Sequence, residues 1–420
     1  MAAQVDVTLP VSADLANTVV SAQSQLWVRD GVIVSSPSPA MVVNTGTALT
    51  DLYADAVLGS AAQPINVIAR GNVTMRDRTR INGSLTASGT LQRPASAIVT
   101  GPVLTNQAVL TSVRSLPVTL NMSETLVRID SGQQRTLAPG GYGDVTVGSN
   151  ARLRLSSGVY TFKSLEAQST SITQLIDATG PVVLQIRERM TYRGSLVGQN
   201  IAKRLLFIGT GTQDWTVDGP YQGTIIHPKG RLVMSPVNGA GHSGSFHAKQ
   251  VDLGARSPIT FVPFQHWLDV FKPSIAAGCR VESGDGTLTA MFTVKNPTAL
   301  AVAPGATNSI SPSSLAGGSA VWAGPGKQQR IFTSTGEPIA WTLSGQTSTV
   351  TTTSPLCAPS TGCPQASVVC DDSQDGSHRH TRATMNATGG TFIADLDIWL
   401  NDTDPNFYQR DITVTKNGVL

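Results

Sequence analysis

Charge is scarce in this chain: Asp, Glu, Lys and Arg make up 14% of its 420 residues, and Phe, Trp and Tyr only 5%. Amphipathic helices need a broad charged face, so helices are excluded as the main elements, and the abundant Gly, Ser, Thr and Val favour short strands and tight turns. Cysteine is absent before residue 279 and then occurs four times, at Cys279, Cys357, Cys363 and Cys370. No apolar run reaches the roughly 18–20 residues that a membrane-spanning helix needs. A formal net charge of +3 with no long basic run lacks the electrostatic footprint of a nucleic-acid binder. Met1-Ala2-Ala3-Gln4 shows neither the charged nor the apolar region of a signal peptide. That start reads as the scar of a replaced leader.

A chain of this length needs either several globular cores or a solenoid that grows by stacking. The pattern favours the solenoid. From about Leu26 to Phe264, short runs of strand-forming residues alternate with Gly, Asn, Asp, Ser or Pro, and no helical period is sustained. Through Val67, Val73, Ile81, Leu85, Leu91, Ile98 and Val103 the apolar positions recur about every six residues, the interval of a coil with three short faces. Each such coil buries its inward aliphatics only against the coils above and below. Residues 1–265 are therefore expected to form a parallel β-helix. At 266–278, Phe264, Trp267, Leu268 and Phe271 fall at helical spacing before Pro273, which reads as a short amphipathic cap over the open end of the solenoid.

Two later segments echo one another. Gly223 to Lys229 carries His227 and Lys229, and Gly244 to Lys249 carries His247 and Lys249, the two histidines and the two lysines recurring at the same interval of about one coil. Stacked in register on neighbouring coils, the two imidazoles would lie about 5 Å apart. With His242, Arg231 and the two lysines beside them, they are the candidate site for an acidic sugar or a shared metal. A ladder of like residues facing solvent is the plainer reading of the same echo.

The run Leu137-Ala-Pro-Gly-Gly-Tyr142, followed by Leu153, Leu155, Gly158, Tyr160 and Phe162, resembles a signature of secreted bacterial β-helix surface proteins. The Gly223–Pro228 and Gly244–Lys249 segments match later strands of the same pattern, as does the start at Arg76-Asp77-Arg78. The resemblance covers roughly residues 20–265. It implies a right-handed parallel β-helix and an exported location, and it transfers no catalytic residue.

Beyond Cys279 the strands alternate: Thr287–Val294, Gln329–Phe332 and Ala340–Leu343, with turns at Pro304-Gly305 and Pro325-Gly326. Residues 279–357 read as a β-sandwich and resemble a small extracellular module through Phe292, Asn296-Pro297, Trp341 and Gly345. Cys279 and Cys357 bracket it, which makes them the natural disulfide, with Cys363 and Cys370 closing a local loop. All three connectivities of four cysteines stay open. The cysteine spacings contain no C-x2-C pair, which argues against a zinc site. Residues 358–420 read as a C-terminal β region, the opening of a third domain that the chain would truncate. There Asp371, Ser373 and Asp375 resemble the start of a calcium loop, but Arg382 stands at the twelfth position where an EF-hand needs a carboxylate. An Asp-rich surface loop is the alternative, and no other cofactor is indicated.

A polysaccharide lyase or hydrolase needs carboxylates convergent on neighbouring strands. The acids of the solenoid are scattered singly, and only Asp214 and Asp218 lie close in sequence, where turn formation accounts for them. Gly209-Thr-Gly211 follows a strand but opens no helix, so it is a turn and not a nucleotide site. The expectation is an exported, non-enzymatic scaffold for adhesion or contact with glycans and other surface proteins, with a polysaccharide-active enzyme as the rival.

Overall fold

The computed structural model describes residues 2–11, 17–109, 112–121, 123–177, 179–235, 241–281, 287–296, 308–312, 315, 326–357, 367–375, 378–387, 390–400 and 408–416. Met1–Ala276, Thr293–Gln329 and Trp341–Thr347 form one compact unit, and Ala277–Phe292, Arg330–Ala340 and Ser348–Leu420 the other.

The first unit contains a parallel β-solenoid whose strands join into one long sheet and a separate four-stranded face. Its logic is carried by columns of inward side chains. One runs Val127, Val145, Leu165, Met190, Trp215, Leu232, Val251, Leu26, Thr50, Val73 and Leu91, each in register with the next. All are buried except Leu91, which is partly covered at the end of the column. A parallel column runs Tyr160, Leu184, Phe207, Ile225, Phe246, Val20, Val42, Val67 and Leu85. Burial of one such aliphatic side chain contributes about 1.5–3 kcal/mol. Stacking gives every inward residue a neighbour above and below, which a lone coil cannot do.

The order within those columns departs from chain order. Residues rise from 127 to 261 along the rod, and the next coil is then 18–35, continuing to 104. The N-terminal coil sits on the last coil: Val20 pairs with Phe246, Leu26 with Val251, and Val34 with Ile259. Even the corners continue across this seam. Arg256, Gly31, Asp55 and Arg78 all take left-handed backbone at the same corner of successive coils, linked by Arg256 N–H to Asp30 O, Gly31 N–H to Ala54 O and Asp55 N–H to Asp77 O at 2.7–3.0 Å.

The chain leaves the solenoid at Leu104 at one end and re-enters at Val127 at the other. The return runs outside, as the strand Ser112–Asn121, which pairs antiparallel with Ala2–Val11 along its whole length. Leu116, Val118 and Leu120 of that return are buried against outward-facing Val183, Leu206, Ile208 and Ile226. Phe264, Trp267 and Phe271 join the same cluster. This corrects the expected end cap. The single helical turn Trp267–Val270 covers a flank of the rod, because the edge it was expected to shield is already occupied by the N-terminal coil.

Past Cys279 the described residues lie mostly in β-strands. Leu288–Asn296 pairs antiparallel with Cys279–Val281 and buries alternate residues Leu288, Ala290, Phe292 and Val294. Asn308–Ser311, Ile339–Leu343 and Gln346–Val350 form a second small sheet. A disulfide joins Cys279 to Cys357. Cys363 lies outside the described residues, as does the side chain of Cys370, and with them the second expected bridge. The four strands Ser367–Asp375, His378–Ala387, Gly390–Leu400 and Tyr408–Lys416 make an antiparallel meander.

Candidate functional site

The two echoing imidazoles do not meet. Across their coils Gly223 faces Gly244 and Ile226 faces His247, so His227 faces Ala248 and the echo is one residue out of register. A slip of one residue sends side chains to opposite faces of a strand. His227 points into the solenoid and His247 to its flank, and a shared ligand between them is excluded by that geometry.

Each histidine is instead a buried structural ring. His227 stacks on Trp215 with ring centroids 4.3 Å apart and 9° between planes. Its Nε2 lies 2.7 Å from the Gln213 carbonyl oxygen and donates to it. A Cβ on Gly209 or Gly230 would collide with the imidazole, so those two positions seat the ring by lacking a side chain. Burial pushes the His227 pKa down to about 4, with the Gln213 carbonyl acting in the opposite direction. Burial lowers His242 to about 4 as well, partly offset by the Ser235 backbone. His247 falls to about 3 through burial alone, and among the described residues neither of its nitrogens has a hydrogen-bond partner. Lys229 and Lys249 are exposed, which leaves Arg231 as the one candidate that belongs to a constructed cluster.

That cluster lies on the outer face at the seam. Arg29 grips Asp252 through Nε and a terminal nitrogen at 2.7 and 2.8 Å, and Arg231 reaches the same carboxylate at 2.6 Å. Arg231 and Arg29 lie over the Trp27 ring at 5.1 and 5.7 Å, Arg29 over Tyr53 at 4.8 Å, and Arg76 over Tyr53 at 4.2 Å. Arg76 closes the row on Asp51 at 3.1 and 2.7 Å. The Asp252 side chain is 9% exposed, and the side chains of Arg29, Arg231 and Arg76 are 32%, 34% and 48% exposed. Burial acts to raise the Asp252 pKa, but the two guanidiniums more than offset it and hold the carboxyl below its usual range. Replacing Asp252 by Ala is expected to destabilise the rod by about 2 kcal/mol, less than for a fully buried pair because water screens the arginines. Urea denaturation checks this. A change under about 0.5 kcal/mol, no more than an ordinary surface substitution produces, would remove the cluster as a clamp on the seam.

Trp27, Arg29, Asp51 and Tyr53 were not singled out by sequence reasoning, and Arg76 only within the Arg76-Asp77-Arg78 segment and not as a site residue, although their spacing carried a signal. Trp27 and Asp51 are register partners one coil apart, Arg29 and Tyr53 follow them by two residues on the same two coils, and Arg76 lies two residues beyond Thr74, the partner of Asp51 on the next coil. The contact of Asp252 with Arg29 carries no such signal, because the two coils lie at opposite ends of the solenoid sequence, whereas Arg231 is on the coil just before that of Asp252.

The remaining candidates do not converge. Asp218 pairs with Arg193 at 3.0 Å and accepts from Ser235, while Asp214 is exposed. Asp371, Ser373 and Asp375 lie in the strand Ser367–Asp375, in register with Arg382, His380 and His378. The expected loop is thus extended strand. Among the described residues no group of three His, Cys, Asp or Glu side chains could hold a metal ion, and no helix is long and apolar enough to cross a membrane. Two shallow hollows, one lined by Arg93, Pro94, Ala95, Ala97, Ile98 and Val99 and the other by Arg128–Ser131 with Thr146, Gly148, Ser149 and Gln168, contain between them a single carboxylate, Asp130. No family model, curated protein or solved structure matches this chain.

Proposed function

We propose that the protein is an exported surface scaffold without catalytic activity, and that it contacts anionic glycans through the Arg–aromatic row on its seam face. The observation that carries this reading is the row itself: three partly exposed guanidiniums held over Trp27 and Tyr53 by Asp252 and Asp51. Planar guanidiniums offer paired donors that match a carboxylate or sulfate, and fixing them beforehand lowers the entropy lost on binding. The rigid stacked coils keep the row in place. The Cys279–Cys357 bond supports an oxidising, extracytoplasmic location.

The rival reading, a polysaccharide lyase or hydrolase, has less to stand on. Its candidate bases, His227 and His247, are fully buried, and of the two acids close in sequence Asp218 is engaged in an ion pair while Asp214 is exposed.

Binding of polygalacturonate and of a sulfated glycan, followed by titration calorimetry at low and high salt, tests the proposal. Arg76→Ala, which leaves the Asp252 clamp intact, is expected to weaken binding about tenfold, or about 1.4 kcal/mol, and salt to weaken it further. Absence of binding to either glycan at low salt would overturn the contact role. Release of unsaturated or reducing ends with turnover would overturn the non-enzymatic one.

A further inference from the structure

Two covalent modules share one rod. The first consists of the strand Ala2–Val11, the coils from Thr18 to Leu104 and the return strand Ser112–Asn121; since its outermost strands pair with each other along their whole length, it closes on itself. The second consists of the coils from Val127 to Phe261. In the solenoid, the chain crosses between them only from Asn121 to Val127.

The other contacts between the modules are non-covalent, the Arg29–Asp252 ion pair among them, and two sets are extensive. At the seam, Thr18–Val28 lies along His242–Leu253 and Ile33–Ser35 along Pro258–Phe261 in parallel ladders. On the flank, Leu116, Val118 and Leu120 cover Val183, Leu206, Ile208 and Ile226. The seam strand has a register shift on each side, at Ala22/Gln25 against the second module and at Thr18/Val20 against its own. These contacts are the same whichever copy of the chain supplies the first module.

We propose that the edge of the coil His242–Phe261 is a docking surface for a second copy of this chain, whose first module takes the place of the resident one. Asn121 N–H donates to Thr161 Oγ1 at 3.1 Å, so in an exchanged pair residue 121 of one copy lies against residue 161 of the other. The six steps from there to Val127 reach about 20 Å when extended, enough to join two rods related by a two-fold axis at their Val127 ends. Exchange keeps every seam contact, so concentration sets the balance between single and paired rods.

The register supplies the test. Gln25 and Gln250 are direct partners across the seam, close enough for a disulfide. Two singly substituted full-length chains, Gln25→Cys and Gln250→Cys, are mixed, briefly unfolded, refolded over a range of concentrations and oxidised, with the parent chain as a control for its own cysteines. A cross-linked species of twice the 43.9 kDa chain mass is expected in the mixture alone, its ratio to monomer rising about tenfold per tenfold rise in free monomer. The doubly substituted chain provides the second measurement: its gel-filtration dimer should run as a covalent dimer without reductant. No dimer at any concentration, or a dimer whose subunits separate because each seam closed within one chain, overturns the proposal.

Discussion

Acidification from pH 7 to pH 4 is expected to remove most of the stability of the rod. His227 and His242 titrate near 4 and His247 near 3 in the folded protein, against about 6.5 when the chain is unfolded. The unfolded chain therefore takes up protons first as pH falls. The native state keeps its full stability above about pH 6.5 and loses it progressively down to pH 4 and, for His247, pH 3. A fall from about 6.5 to about 4 corresponds to about 3 kcal/mol, so three buried rings together rival the roughly 5–15 kcal/mol that holds an ordinary domain folded. Asp252, whose carboxyl is held below its normal range, adds a loss at still lower pH. Urea midpoints between pH 7 and pH 4 measure the slope, and His247→Leu should flatten part of it, since a leucine on that flank has no proton to gain. A midpoint unchanged from pH 7 to pH 5 would show that the imidazoles are not buried as described.

Removing the Trp215 side chain is the largest single packing loss expected. The ring sits between Met190 and Leu232 in the inward column, is fully buried, stacks on His227, and its Nε1–H donates to the Glu188 carbonyl at 2.9 Å. Trp215→Ala leaves a cavity that stacked backbones above and below cannot collapse into, at a cost of about 3–5 kcal/mol. For a rod of this size that lowers the melting midpoint by roughly 10 °C. It also frees the His227 ring, so its pKa should move up toward the ordinary value, visible by NMR titration. Trp215→Phe, which retains a ring for stacking, should recover more than half of the loss. A cost below about 1 kcal/mol for the alanine variant, well under the range for a buried aromatic, would place Trp215 outside the column.

Much of this could be read along the chain. The shortage of charge and the short apolar periods led to a parallel solenoid, because stacked coils are the arrangement in which such strands bury both neighbours. The individual residues chosen as a site fared differently. His227 and His247 share a sequence spacing with their lysines, but steps along the inward column are unequal, short from Trp215 to Leu232 and long from Met190 to Trp215, so no fixed period assigns a face. A spacing wrong by one position inverts the side chain, and two apparent surface ligands become buried rings on opposite faces. The Arg–aromatic row went unread for a different reason, since its members are ordinary residues until the coils are laid in register.

What the sequence determined by itself is local: strand, turn, coil, and the apolar positions that must face inward, since each depends on residues a few places apart. The cysteines bracketing the later strands belong to the same class, their pairing being suggested by simple enclosure. The tertiary structure alone decided which edge meets which. The coil beginning at Thr18 rests on the one ending at Phe261, from the opposite end of the solenoid sequence, and Asp252 meets Arg29 there. No local preference encodes such an adjacency, because a parallel edge accepts any coil of matching shape, and the choice is made by the summed burial of columns that exist only once the rod is assembled.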